Sequence, residues 1–102
     1  MATAFVQEFA IVDGDTSTTN YDTVADEVGH AAPEGLIVHT AGFDHDRGVF
    51  RIVDIWESRE AGQRFISKTL MPSIERMAAE RAPEEFRQPD AESWYELHNV
   101  IR

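Results

Sequence analysis

Two stretches of this chain are apolar on both sides at once, which restricts the folds open to it. Residues 4–13 (AFVQEFAIVD) and 49–57 (VFRIVDIWE) are rich in β-branched and aromatic side chains and read as strands. Side chains alternate across a strand, so each stretch divides into two sets. Phe5, Gln7, Phe9 and Ile11 fall together in the first, as do Phe50, Ile52, Asp54 and Trp56 in the second. These sets are large and should meet helices. The opposite sets are Val6, Glu8, Ala10 and Val12, and Val49, Arg51, Val53 and Ile55. They are smaller but still mostly apolar, so water is a poor cover. The chain has 102 residues, enough for one domain and too few for two. A second copy of the chain is therefore the expected cover, and a homodimer the expected assembly. Glu8 and Arg51 can pair on that face or at its rim, or point to solvent at the sheet margin.

The rest of the chain supplies the helices. Asp13 to Asn20 is a loop by composition, and Asn20 is a candidate cap for a helix with Tyr21, Val24, Ala25 and Val28 on one stripe. Gly29 stops it, and His30 can sit against its C-terminal dipole. Pro33-Glu34-Gly35 is a turn, Leu36 to Phe43 a second strand, and residues 44–48 a hairpin connection. Ser58 caps a second helix carrying Ala61, Phe65 and Thr69, and Pro72 either starts a new helical segment or kinks this one. Residues 82–92 read as a loop or short helical turn, and 93–101 as the last strand. The order is βαββαβ. That order predicts an α+β, ferredoxin-like fold, with a four-stranded antiparallel sheet and both helices on one face.

Charge and composition narrow the partners. Nineteen acids against nine bases give a net charge of −10, which repels phosphate backbones and anionic membranes. No nucleic-acid or membrane partner is expected. There is no cysteine, so disulfides, thiolate metal sites and a catalytic thiol are excluded. No apolar run reaches membrane-spanning length, and the N-terminus lacks the pattern of a signal peptide, so the cytoplasm is the expected location.

Candidate chemistry gathers on one sheet face. If Asp46-Arg47 is a two-residue turn, Phe43 faces Phe50, Ala41 faces Ile52, His39 faces Asp54 and Ile37 faces Trp56. A three-residue loop ending at Gly48 would break that pairing. In the first register His39, Asp54 and Gln7 project among aromatics toward the helices. A carboxylate beside an imidazole fixes its tautomer and raises its basicity, as a general base acting on a phenol or enol requires. The same trio also reads as a buried polar cluster without chemistry. Trp56 and Phe65 suit the core as well as a ligand wall, and Tyr21 can pack a helix or reach a cavity mouth. Trp94, Tyr95 and His98 have no parity fixed by a tight turn. Asp44-His45-Asp46 has metal-compatible atoms, but three adjacent loop residues do not close a site, and no metal is expected. No nucleophile elbow or glycine-rich phosphate loop is present.

Pro33 to His39, Val53 to Ala61, Phe65 and Leu70-Met71-Pro72 resemble the dimeric α/β-barrel proteins, and among them the antibiotic biosynthesis monooxygenase-like proteins. The resemblance spans most of the chain. It implies a cavity between sheet and helices and cofactor-free oxidation of electron-rich aromatic, polyketide-like or quinol substrates. Taken with the register above, it makes His39, Asp54 and Gln7 the candidate catalytic residues, with Trp56, Phe65, Tyr21, Phe9 and Ile37 against a small apolar or aromatic ligand. Haem-degrading members carry a strand Asn and a helical Trp and His. Here Gln7 and Phe65 stand at the first two places, and no histidine lies between His45 and His98, so haem is not the expected substrate. The alternative expectation is a non-catalytic ligand-binding or pathway-accessory dimer of the same fold, and a cyclase or isomerase on this scaffold is a third.

Overall fold

The computed structural model describes residues 1–29, 31–80 and 88–101. His30 and most of the expected loop at 82–92 lie outside that range. The elements are β1 (Thr3–Ala10), α1 (Thr19–Val28), β2 (Leu36–Asp44), β3 (Val49–Trp56), α2 (Arg59–Phe65), a π-helical turn (Ile66–Leu70), α3 (Met71–Glu80) and β4 (Ala91–Glu96). The strands form one sheet in the order β2-β3-β1-β4, with every neighbouring pair antiparallel. This is the ferredoxin-like α+β fold.

Several element ends differ from the sequence reading, each for a local reason. The first helix begins at Thr19, with Thr18 and not Asn20 at its N-cap position. The preceding turn sets this start: the Asp15 carboxylate accepts from the Ser17 amide at 2.8 Å, and the Thr18 hydroxyl donates to Asp22 at 2.9 Å. The last strand runs over Ala91–Glu96, earlier and shorter than expected. Its start is tied to β1, because Asp90 donates its amide to Glu8 O at 2.8 Å and accepts from the Ala10 amide at 2.7 Å. Ser58 caps α2 as expected, its hydroxyl accepting from the Ala61 amide at 3.1 Å.

Pro72 leaves its mark just upstream. Proline has no N–H to donate and crowds the carbonyl four residues back. The chain widens into a π turn, with the Met71 amide reaching Ile66 O, and continues as helix. The Ser73 hydroxyl donates to Thr69 O at 2.8 Å, satisfying one carbonyl of that turn.

The hairpin takes the first of the two registers through most of its length, but the ladder ends at Asp44 and Val49, so residues 45–48 and not Asp46-Arg47 alone make the turn. Phe43 pairs with Phe50, Ala41 with Ile52 and His39 with Asp54. The expected Ile37–Trp56 pair does not form. A bulge at Ile37 moves Leu36 opposite Trp56. Tertiary contact pins this end: Gly35 O accepts from the Glu57 amide at 2.8 Å, and Gly35 crosses directly over α2. A Cβ there would stand 2.6 Å from that of Ala61, and the backbone φ is +88°, so both the close approach and the turn require glycine.

Side chains on the helix face form rows across the sheet. His39, Asp54, Phe5 and Trp94 make one row, and Ala41, Ile52, Gln7 and Glu92 the next. Phe43, Phe50 and Phe9 follow. Trp56, 1% exposed, anchors the closed end, with Phe65 of α2 at 5.6 Å between ring centroids and Phe5 stacked on Trp94 at 4.1 Å. α2 comes this close because Gly62 has no side chain. A Cβ there would lie 2.9 Å from Trp94 and 3.0 Å from Trp56. At the opposite end Phe9, Phe43 and Phe50 remain half-buried, so the helices do not seal that part of the sheet.

Among the described residues the other sheet face carries no helix. Val38 and Tyr95 there are 45% and 50% exposed. Arg51 donates to Glu8, with Nη2 2.6 Å from Oε2, and its Nη1 lies 3.2 Å from Asp44 Oδ2. Among the described residues no helix is long and apolar enough to cross a membrane.

Candidate functional site

The site is built from three elements. β2 and β3 bring His39 and Asp54 opposite each other, because their register is an antiparallel pair and both residues point to the helix face. The short loop after Asp44 fixes that register, with the Asp44 carboxylate accepting from the Arg47 amide at 3.1 Å. α1 then lays its first turn over the pair and contributes Tyr21.

The contacts run in a line. His39 Nδ1 hydrogen-bonds Asp54 Oδ1. The Tyr21 hydroxyl lies 2.6 Å from His39 Nε2. The Tyr21 and His39 ring planes differ by 5° with centroids 6.1 Å apart, so with their polar atoms in contact the rings meet end to end and not face to face. Phe50 meets Tyr21 edge-on at 5.6 Å and steadies its ring. The Asp54 side chain is 15% exposed and that of His39 40%, so the carboxylate is the inner group and the imidazole the outer one.

This order fixes the protons. An ionised Asp54 accepts only, so His39 Nδ1 carries a proton and donates it. Nε2 of the neutral ring is then the acceptor, and the Tyr21 hydroxyl donates to it. The hydrogen bond to Asp54 raises the His39 pKa above its ordinary value, against an opposing effect of burial, and the Asp54 charge raises it further. Burial raises the Tyr21 pKa, with smaller contributions from the Asp54 and Asp22 charges, and this keeps the phenol protonated near neutrality. The arrangement can accept one proton at the imidazole while Asp54 balances the charge.

The remaining candidates scatter around this line. Gln7 sits on the same face, opposite Ile52 and diagonal to Asp54, with no hydrogen bond to Tyr21, His39 or Asp54. Phe9 pairs with Phe50 beside Tyr21. Trp56 and Phe65 pack on each other at the closed end. Trp56 Nε1 is buried without a hydrogen-bond partner among the described residues. Ile37 occupies the bulge and has no partner across the hairpin. The Tyr21–His39 contact had no signature in the sequence, since 18 residues separate the two and only the docking of α1 joins them. Two surface clefts lie elsewhere: one of about 260 Å³ is bordered by Thr40, Arg51 and Val53 of the helix-free face, the other of about 380 Å³ lies between α1 and α3. No group of three or more metal-ligating side chains comes together among the described residues.

No family model and no curated protein matches the chain. Solved structures do. The Rv0793 protein of Mycobacterium tuberculosis superposes with a TM-score of 0.70 at 15% identity, with all of both chains covered. A Chloroflexus aurantiacus protein, provisionally named an antibiotic biosynthesis monooxygenase, gives 0.65 at 13% identity, covering 100% of this chain and 98% of its own. SnoaB from Streptomyces nogalater, described as a cofactor-independent oxygenase, gives 0.63 at 13% identity, covering 98% and 96%. At such identities the likeness is one of fold. It agrees with the ferredoxin-like α+β fold expected from the sequence.

Proposed function

We propose that this chain is a single-domain homodimeric enzyme that removes a proton from a small phenolic, enolic or quinol-like aromatic substrate and leaves it able to react with O₂ without a cofactor. The observation that carries this reading is His39 held between Asp54 and Tyr21 on an aromatic sheet face that the helices leave partly open. His39 is the base and Asp54 its orienting charge. Gln7, one row away, orients the substrate or oxygen. Phe9, beside Phe50, supports the ring system with Tyr21, and Trp56, Phe65 and Ile37 close the far end. Deprotonation raises the substrate's electron density, and an electron-rich aromatic anion can itself pass an electron to O₂. The fold shared with SnoaB, an oxygenase that needs no cofactor, supports this reading without assigning the substrate. The homodimer rests on the apolar helix-free face, where a second copy would cover Val6, Val53 and Ile55.

Oxygen uptake with anthrone-type substrates tests the activity. His39→Ala should lower turnover about 10²–10⁴-fold, the usual contribution of a general base, while the protein stays folded. Asp54→Asn should lower it too, because the imidazole loses its orienting charge. Ligand binding with neither oxygen uptake nor a rearranged product would instead favour a non-catalytic binding dimer; a rearranged product alone would favour a cyclase or isomerase.

A further inference from the structure

An imidazole has two nitrogens, and both of those on His39 are occupied. Nδ1 faces Asp54, and Nε2 meets the Tyr21 hydroxyl at 2.6 Å. A substrate proton has no direct path to either while Tyr21 keeps this position. The phenol oxygen, in contrast, has spare capacity. It donates its single proton to Nε2 and retains lone pairs that can accept from an incoming hydroxyl. With the ring planes within 5° of parallel, the 2.6 Å O···N contact puts the hydroxyl within proton-transfer reach of Nε2.

We propose that Tyr21 is the catalytic residue that meets the substrate, relaying the proton of a phenolic or enolic hydroxyl to His39. The proton on the substrate oxygen passes to the Tyr21 oxygen as the Tyr21 proton passes to His39 Nε2. One substrate O–H bond and one tyrosine O–H bond break, and one tyrosine O–H bond and one N–H bond form. The products are a substrate anion and an imidazolium beside the Asp54 carboxylate. Tyr21 ends neutral and never exists as a free tyrosinate, which suits a phenol whose pKa burial pushes up. The substrate class follows: its hydroxyl must approach a phenol in acidity, since a simple alcohol would not give up its proton across this relay.

This inference rests on the proposed role of His39 as the base, and its test avoids oxygen chemistry so that the two can fail separately. Alizarin, a hydroxyanthraquinone whose colour reports its ionisation, is titrated with pH in the presence of wild-type protein and of Tyr21→Phe. Wild type should lower the apparent pKa of the bound dye by about one unit, a tenfold gain in ionisation. Tyr21→Phe should bind the dye and lose that shift. In wild type, ¹⁵N NMR of His39 should show Nε2 gaining a proton as the dye binds, a readout independent of how well the variant folds. A full shift retained by Tyr21→Phe, no shift with wild type, or a His39 ring that stays unprotonated would each overturn the relay. Dye ionisation without oxygen uptake by anthrone would sink the oxygenase reading and leave the relay standing.

Discussion

Each face of the sheet carries an acid–base pair on β3 and a neighbouring strand, and the two pairs have different fates. On the helix face Asp54 of β3 faces His39 of β2. On the helix-free face Arg51 of β3 faces Glu8 of β1 and also reaches Asp44. Both pairs arise from strand alternation and register. The difference lies in the basic partner and in what covers it. A guanidinium does not release its proton in a protein, and the hydrogen bond to Glu8 pushes the Arg51 pKa higher still. That pair is a fixed charge pattern, which the proposed homodimer would use to set how two copies meet. An imidazole titrates near neutrality, and α1 brings a hydroxyl to its free nitrogen. In the proposed function, similar pairing gives a docking feature on one face and a proton acceptor on the other.

The comparison predicts unequal responses to substitution. The largest belongs to the helix-free face: Val53→Glu should dissociate the dimer or unfold the chain, since an unpaired buried carboxylate costs about 3–5 kcal/mol. Sedimentation at micromolar concentration should give twice the chain mass for wild type. A wild-type monomer, or a variant as stable as wild type, would make this a solvent face and remove the contrast. Next is the closed end of the helix face. Gly62→Ala would drive a methyl into Trp56 and Trp94, and thermal unfolding should report a loss of about 1–3 kcal/mol. An unchanged melting temperature would show that α2 is free to lift away.

The charge pairs themselves should matter less to stability. Glu8→Gln should lower it by about 1 kcal/mol or less, because Glu8 and Arg51 side chains are 24% and 29% exposed. The smallest effect is the pH dependence contributed by His39. Its folded pKa lies above the unfolded value, so the contact with Asp54 stabilises fully below about pH 6.5 and fades as pH rises through the folded pKa. The stability gap between wild type and His39→Gln should therefore narrow from acid to alkaline pH. A gap that widened would reverse the assigned sign.

Much of this was legible in the sequence because period-two alternation assigns strand faces without knowledge of the rest. It sorted Phe5, Asp54 and Trp56 onto one face and placed Glu8 with Arg51 on the other, as the pairing shows. The hairpin register followed from matching like with like across a short turn, and Pro72 marked the break that became a π turn. What the sequence did not reveal depends on tertiary approach. The bulge at Ile37 accompanies Gly35 crossing over Ala61, a contact between distant elements. The Tyr21 contact depends on where α1 docks, and a helical stripe gives its direction without its height above the sheet. The close passage of Gly62 over two tryptophans has the same origin, since a glycine inside a helix signals space only once its neighbours are known.

NMR titration of the His39 ring shows whether Asp54 makes it a working proton acceptor. In wild type the midpoint should lie above 6.5, the ordinary histidine value, because the hydrogen bond to Asp54 outweighs burial. In Asp54→Asn the charge is lost and any bond to the amide oxygen is a neutral one, while burial remains, so the midpoint should fall below the wild-type one. A wild-type midpoint at or below 6.5, or one that Asp54→Asn leaves in place, would contradict the account.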